Sequence, residues 1–350
     1  MGPWIMAAEA GAPFGLISPA VAEKLKGEAT TPSAQHIIKT AEVALVAPTQ
    51  PPNPLPRVHV EGTLPHQGIY DQSVVAMRDW PAMLNFAMAY RLTGDSRYLQ
   101  AVEKLLAAWL AVYTVSFNPI DETNLDNMIV AYDLARPGLS KETQDKMTVF
   151  LRTMAEGYLD KIAQQKKEDV ANWQSHRIKL IVLSAYALGD EVLIAKAQAA
   201  FFRQVSVNIN PDGTVVDFAK RDALHYVTYD LEPLTMASLA AKAHGREWFG
   251  RAASDEHPVA VVMAVDWLTP YALGQQTHEE FVHSSVPFDA ARAKAGLKGY
   301  SGPWEPATSA HLYQLAAMAD PKYTATFQQV CAANHRNPID WLVLLDGAGF

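Results

Sequence analysis

From about residue 76 onward, apolar residues recur at helical spacing along most of the chain. The stretch AMRDWPAMLNFAMAYRLTGDSRYLQAVEKLLAAWLAVY carries two such runs, one on each side of TGD, and predicts a helical hairpin. The same junction, a small or apolar helix end, a Gly or Asp turn and a new amphipathic run, recurs as ALGDEVLIAKAQ near Gly189, AHGREWFG near Gly245 and MADPKYTATFQQV near Asp320. Further helical stretches are predicted at roughly 122–135, 140–165, 173–188, 191–207, 221–243, 256–269 and 306–319. Strand signals are few, and NINPDGTVVDF is the best candidate for a short turn or hairpin. Helix pairs at irregular spacing do not make a strict short repeat. They predict an all-α fold, an α/α ring or incomplete toroid of helical hairpins around a central groove.

Residues 12–72 read differently, being rich in Pro, Thr and Gly, with short helices only near SPAVAEKLKGE and SAQHIIKTAEVAL. The predicted organisation is therefore an irregular segment, 1–72, packed on a ring formed by 73–350. The opening MGPWIMAAEAGAP lacks the basic start and apolar stretch of a secretory signal and reads as an appended scar or the start of a processed chain.

Composition narrows the function classes. The 350 residues are 49% hydrophobic, with no apolar run long enough to span a bilayer. Lys and Arg number 29 against 37 Asp and Glu, a formal charge of −8, which argues against nucleic acid or a membrane surface as partner. A polyanion stays compatible with that charge if the cations gather in one cleft, which should then be more positive than the rest of the surface. Cys331 is the only cysteine, so an internal disulfide and a multi-cysteine metal site are excluded. No histidine pair of zinc type, phosphate-cradling glycine loop or exposed-serine elbow is present, and neither metal nor cofactor is expected.

Three stretches carry candidate chemistry. In RDALHYVTYDLEPL, Arg221, His225 and Tyr229 fall at steps of four inside an apolar run, so a continuous helix would align them in one stripe. Pro233 has no N–H for the Tyr229 carbonyl, so the helix should bend or loosen there. In VANWQSHRIKLIVLSAYAL, Asn172, Gln174, Ser175, His176 and Arg177 crowd a helix start, where free N–H groups and the dipole suit an anion. In NPIDETNLDNMIVAYDLAR, Asp121 and Glu122 open a helix, which the dipole alone would favour. For each stretch the plain alternative is packing, with the polar atoms satisfied internally and Asn172 a simple N-cap.

DGTVVDFAKRDALHYVTYDLEPL resembles the segment of alginate lyases that runs from an Asp-Gly turn into a helix ending in Tyr-x-Leu-x-Pro-Leu, here Tyr229, Leu231, Pro233 and Leu234. ANWQSHR lies where that superfamily carries an Asn-rich, His-containing motif, and YRLTGDSRYLQAVEKLLAAW resembles its early hairpin. The similarity covers roughly 76–240. Two departures mark a divergent branch. Asp222, not arginine, stands seven residues before the tyrosine, with Arg221 beside it. Gln174 occupies the position of the motif's histidine, with His176 two residues later.

The resemblance implies a lyase acting on an anionic uronate polysaccharide, alginate or glucuronan, in the periplasm or outside the cell. Such lyases neutralise the uronate carboxylate, remove the C5 proton and expel the C4 oxygen. Asn172, Gln174, His176 and Arg221 supply donors for the carboxylate. Tyr229 is the candidate proton-transferring group, with Arg221 or a histidine favouring its phenolate. In β-linked mannuronate or glucuronate the C5 proton and C4 oxygen share a face, so one tyrosine can serve both. In guluronate they lie on opposite faces, and His176 or His225 would act as base. Arg177, His225, Trp173, Tyr226, Tyr70 and Trp80 are candidate substrate contacts, with His278 and His283 a candidate rim. Two rival readings are a glycoside hydrolase using two carboxylates among Asp121, Asp217 and Glu232, and a non-catalytic binding scaffold.

Overall fold

The computed structural model describes residues 11–46, 52–164 and 170–350; the first ten residues of the opening segment discussed above lie outside these. Its early helices are α1 (Pro19–Lys24), α2 (Pro32–Val46), α3 (Tyr70–Ala76), α4 (Asp79–Thr93), α5 (Ser96–Val112), α6 (Pro119–Glu122), α7 (Asp126–Ala135), α8 (Lys141–Gln164) and α9 (Asn172–Leu188). There follow α10 (Glu191–Asn208), α11 (Val216–Arg221), α12 (Leu224–Ala243), α13 (Val261–Ala272), α14 (Pro287–Lys294), α15 (Ala310–Ala319), α16 (Thr324–Ala333) and α17 (Asp340–Gly347). The fold is an α/α toroid. Among the described residues there is no strand, only isolated bridges between Ile209 and Val215 and between Glu279 and Pro303. The short turn or hairpin expected at NINPDGTVVDF is a turn closed by a single bridge.

The hairpin junctions follow the sequence closely. Gly94 ends α4 with φ 74° and Asp95 caps α5 through the Arg97 N–H; Gly189 ends α9 with φ 63° and Asp190 caps α10. A residue with a side chain is strained at such angles, which is why glycine marks both turns. The junction at Gly245 differs. The chain leaves α12 in an extended loop and does not resume a helix until Val261, because Trp248 and Phe249 are drawn into the core, Trp248 against Phe201.

At the centre lie α9 and α12, packed on each other, with α8 and α10 also against α9 and α15 against α12. Every residue of α9 except Trp173 and Leu188 is buried. Along the first half of α12, from Leu224 to Pro233, only His225, Tyr229 and Glu232 escape burial. A helix buried nearly all round is normally apolar all round. The polar residues on these two helices must therefore be partnered inside or face a cleft, and both cases occur.

The predicted stripe of Arg221, His225 and Tyr229 is broken. Asp222 adopts a left-handed conformation, φ 49°, and ends α11, so Arg221 belongs to a separate short helix. The row α12 leaves open is His225, Tyr229 and Glu232, again at helical spacing. Pro233 lies inside α12 and the helix continues past it to Ala243, so the proline loosens one hydrogen bond without ending the element.

Two buried aspartates fasten the N-terminal segment to the ring. Asp133 accepts from the N–H groups of Gly15, Leu16 and Ile17 at 2.8, 2.7 and 3.1 Å. Asp121 accepts from the N–H groups of Val60 and Glu61, each at 2.8 Å, and pairs with His59 Nδ1 at 2.8 Å. Glu122 is also internal, accepting from the Tyr113 and Tyr158 hydroxyls and the Ser116 N–H. These acids serve structure, as the helix-start alternative held. Asp121→Ala strands donors around a fully buried acceptor, and it should cost about 3 kcal/mol in chemical unfolding and admit proteases between 52 and 66. Unchanged stability would show that solvent replaces the carboxylate there.

Candidate active site

The start of α9 is fixed by a carboxylate from another element. Asp217 accepts the Asn172 backbone N–H at 2.6 Å and its Nδ2 at 2.7 Å, so the anion that suits this helix N-terminus is supplied by the protein itself. Asn172 is the first helical residue and not the N-cap, which is Ala171. One turn on, Ser175 Oγ donates to Asp230 at 2.6 Å, and Asn208 Nδ2 donates to the same carboxyl at 2.5 Å. Burial and the neighbouring Asp217 push the Asp230 carboxyl up to about 8.

Against this frame two cavities open, of about 250 and about 170 Å³. Among the described residues Tyr229 alone lines both. The larger is bordered by His176, Lys179, Glu232, His311, Asn124 and Trp341 among others, the smaller by Asn172, Trp173, Arg221, Tyr226, Arg292 and Glu61. In their linings the smaller has two arginines against one glutamate, whereas the larger balances Lys179 and His311 against Asp126 and Glu232. The arginines near Tyr229 are thus gathered on one side of it, with Asp217 and Asp289 paired to them behind the lining.

The His176 ring lies 4.2 Å from that of Tyr229, centroid to centroid. Its Nδ1 is 2.7 Å from Thr123 Oγ1, which is also 2.9 Å from Lys179 Nζ; Lys179 in turn pairs with Asp126 at 2.5 Å. An ammonium only donates, so the threonine oxygen accepts from Lys179 while the same hydroxyl engages Nδ1. Nε2 closes no hydrogen bond of ordinary geometry, although the Tyr229 carbonyl stands near enough to favour protonation. That carbonyl is the one Pro233 deprives of a helical donor. Burial, reinforced by Lys179, nevertheless drives the His176 pKa well below the usual value, so the ring is neutral.

Burial raises the Tyr229 phenol above its ordinary value, and Tyr226, Glu232 and Tyr300 add to the effect; Arg292 opposes it. Its hydroxyl makes no hydrogen bond among the described residues. Arg221 lies in the smaller cavity but is tied to Asp289 at 2.5 Å and to Asp217 at 3.6 Å, with its guanidinium 3.8 Å over the Tyr226 ring. His225 lines neither cavity. It is packed against Tyr226, Phe281 and Tyr300, and burial followed by Arg292 lowers its pKa.

Other candidates are dispersed. Trp173 lines the smaller cavity with Tyr226. Gln174 accepts from Arg177 at 3.1 Å, and Arg177 lies 5.6 Å over Trp173; both are buried behind the cavity wall. Trp80 is in the core against Trp109 and Tyr113, and Tyr70 is half-buried at the start of α3, lining neither cavity. His278 and His283 hold Asp222, through the imidazole of the former and the backbone N–H of the latter. Arg292, His311 and Lys179 were not singled out from the sequence. Lys179 carried a signal, a lone charge within an apolar helical run; Arg292 and His311 lie in a tail without any motif.

A model of the alginate lyase family matches residues 23–278. No curated protein sequence matches. Among solved structures, an alginate lyase from Bacteroides ovatus superposes over 96% of this chain and 99% of its own, with a TM-score of 0.69 at 15% identity. Alginate lyase A1-III from Sphingomonas species A1 gives a TM-score of 0.51 at 17% identity, over 73% of this chain and 78% of its own. A histidine-to-alanine variant of A1-III complexed with tetrasaccharide gives 0.55 at 17% identity, over 88% and 90%. At such identities the likeness is one of fold.

A buried acid with a raised pKa binds its proton in the folded chain over a range where the unfolded chain has released it. Asp230 should therefore cost stability as pH rises from about 4, its unfolded value, to about 8. Urea unfolding midpoints at pH 5.5 and 8 should show that fall, and Asp230→Asn should reduce it; an equal fall in both proteins would assign it to other groups.

Proposed function

The chain belongs to the alginate lyase family and is a polysaccharide lyase, and from that premise we propose that it cleaves a uronate polymer by β-elimination across Tyr229. The observation that carries this reading is the position of Tyr229 between two cavities, since a lyase needs one sugar on each side of the bond it breaks. In this scheme the Tyr229 phenolate takes the C5 proton. The electrons of that C–H bond form the C4–C5 double bond, the C4–O bond breaks, and the phenol returns its proton to the departing oxygen. Charge developing on the uronate carboxyl is met by donors in the arginine-lined cavity, Asn172 among them.

His176 is a neutral ring set against Tyr229, with Nδ1 engaged by Thr123, and its role is to fix the phenol's position. No histidine stands ready as a separate base, since His225 is turned from both cavities and His311 is paired with Glu232 at 3.4 Å. One group therefore handles both transfers, which suits a substrate with C5–H and O4 on one face: a mannuronate-rich or glucuronate chain. The solved complex of the A1-III variant with a tetrasaccharide is in keeping with an oligosaccharide binding in a fold of this kind. As for the hydrolase reading, of Asp121, Asp217 and Glu232 only Glu232 lines a cavity, so those acids do not form a facing pair. Among the described residues no helix is long and apolar enough to cross a membrane. Work on an exported polymer agrees with a periplasmic or secreted enzyme.

Activity is read from the near-ultraviolet absorbance of the unsaturated end on mannuronate, guluronate and glucuronate polymers side by side. The first two of these substrates should differ, with mannuronate cleaved faster. Tyr229→Phe removes a hydroxyl with no hydrogen-bond partner among the described residues, so its melting temperature should stay near wild type while turnover falls at least about a hundredfold. Residual activity above about a tenth refutes the assignment.

The pH profile tests the same group differently. Because the phenol is raised above its ordinary pKa of about 10, the phenolate fraction climbs through neutral and mildly alkaline pH, and kcat/KM should rise with it without levelling off. A neutral imidazole with a lowered pKa would already be fully deprotonated. A plateau from neutral pH upward would therefore transfer the base role to His176.

A further inference from the structure

The geometry points to Arg292, on α14 and beyond the residues that the family model matches, as the side chain that receives the substrate carboxylate beside Tyr229. This rests on the β-elimination reading of the cleft. Two arginines line the smaller cavity, and they are engaged differently. Arg221 is held between two buried carboxylates, Asp217 and Asp289, and stacked on Tyr226, so moving it to a ligand would strip both acids of a counter-charge. Arg292 is 3.6 Å from Asp289, already taken at closer range by Arg221. It donates to the Tyr226 hydroxyl at 2.7 Å, and its guanidinium lies over the Phe288 and Tyr300 rings at 4.4 and 4.9 Å. A planar guanidinium offers five N–H donors, so engagement of Nη1 leaves the edge needed for a carboxylate.

The fold brings Arg292 there by a specific attachment. The Asp222 carbonyl, exposed by its left-handed turn, accepts from the Phe281 N–H at 2.8 Å, and its carboxylate accepts from the His283 N–H at 2.9 Å. The Ser285 N–H donates to the Lys220 carbonyl at 2.9 Å, and Glu280 accepts the N–H groups of Leu224 and His225 at the start of α12. The segment leading into α14 is thus fastened to the corner between α11 and α12, with Asp222 at its centre. Arg292 and Tyr229 line the same cavity, bridged by Tyr226, whose hydroxyl Arg292 holds and whose ring lies 6.1 Å from that of Tyr229, so a carboxylate bound to Arg292 shares that cavity with the proton-transferring phenol.

The test measures binding apart from turnover. In a Tyr229→Phe background, titration calorimetry compares a mannuronate tetramer with its carboxyl-reduced, uncharged counterpart. Adding Arg292→Gln should weaken the charged tetramer about tenfold or more and leave the uncharged one unchanged, whereas Arg292→Lys should recover part of the loss. In the otherwise wild-type chain, Arg292→Gln should also move the rising limb of the pH–rate profile to higher pH, because Tyr229 loses the cation that opposes burial. Equal weakening of both tetramers would mark Arg292 as merely structural, and a change below twofold, or no binding of the charged tetramer at all, would overturn the assignment. Absence of unsaturated product from wild type on every polyuronate would instead sink the β-elimination reading, while the binding comparison would still judge Arg292.

Discussion

The cleft depends on a pair of buried carboxyls. Asp217 holds the first residue of α9 by backbone and side chain, and Asp230, on α12, holds Ser175 one turn later and Asn208 at the end of α10. Four elements are thereby registered through two acids from which water is excluded. Such an arrangement is not an economical source of stability, because the desolvation of each acid offsets much of what its hydrogen bonds return. Its effect is geometric. His176 lies on α9, Tyr229 on α12, and a slip of either helix along its axis would part rings only 4.2 Å apart.

Pro233 belongs to the same arrangement. In an uninterrupted helix the Tyr229 carbonyl would be consumed by the N–H four residues on. The proline leaves it unclaimed, and the carbonyl stands close to the imidazole of a histidine whose Nδ1 is engaged by Thr123. The chain from Asp126 through Lys179 and Thr123 thus ends on the imidazole that lies against the ring of Tyr229. A lost helical bond is usually counted as damage, but here it frees an acceptor inside a helix that is otherwise closed on all sides.

Much of this was legible beforehand, for identifiable reasons. The helices and their turns follow from apolar spacing and from glycine and aspartate at positions where only they sit comfortably, as at Gly94–Asp95 and Gly189–Asp190. Asn172, His176 and Tyr229 stood out because polar groups in apolar helices need a reason to be there. Two things could not be read locally. The break at Asp222 was hidden because an aspartate accepts a left-handed angle without a glycine to announce it, and that break removed Arg221 from the stripe. Arg292 sits in a helix whose composition resembles any solvated surface, and long-range bonds from its segment to the corner between α11 and α12 bring it to the cleft. Trp80 illustrates the opposite case, an aromatic side chain suited to sugar binding that the core claims first.

For a chain of net charge −8, the proposed polyanionic substrate requires that local and overall electrostatics be separated. At physiological salt, charges farther apart than about 8 Å are largely screened from one another, so the surplus of surface acids has little influence within a half-enclosed cavity. What governs binding there is how firmly each cation is already paired. Arg221 is neutralised by two buried acids and Lys179 by Asp126, and His311 lies against Glu232, whose charge and hydrogen bond keep the imidazole pKa raised against its burial. What distinguishes the cations of the cleft is thus the pairing of each rather than their number, and Arg292, whose nearest acid Asp289 is held at closer range by Arg221, is paired least firmly among them.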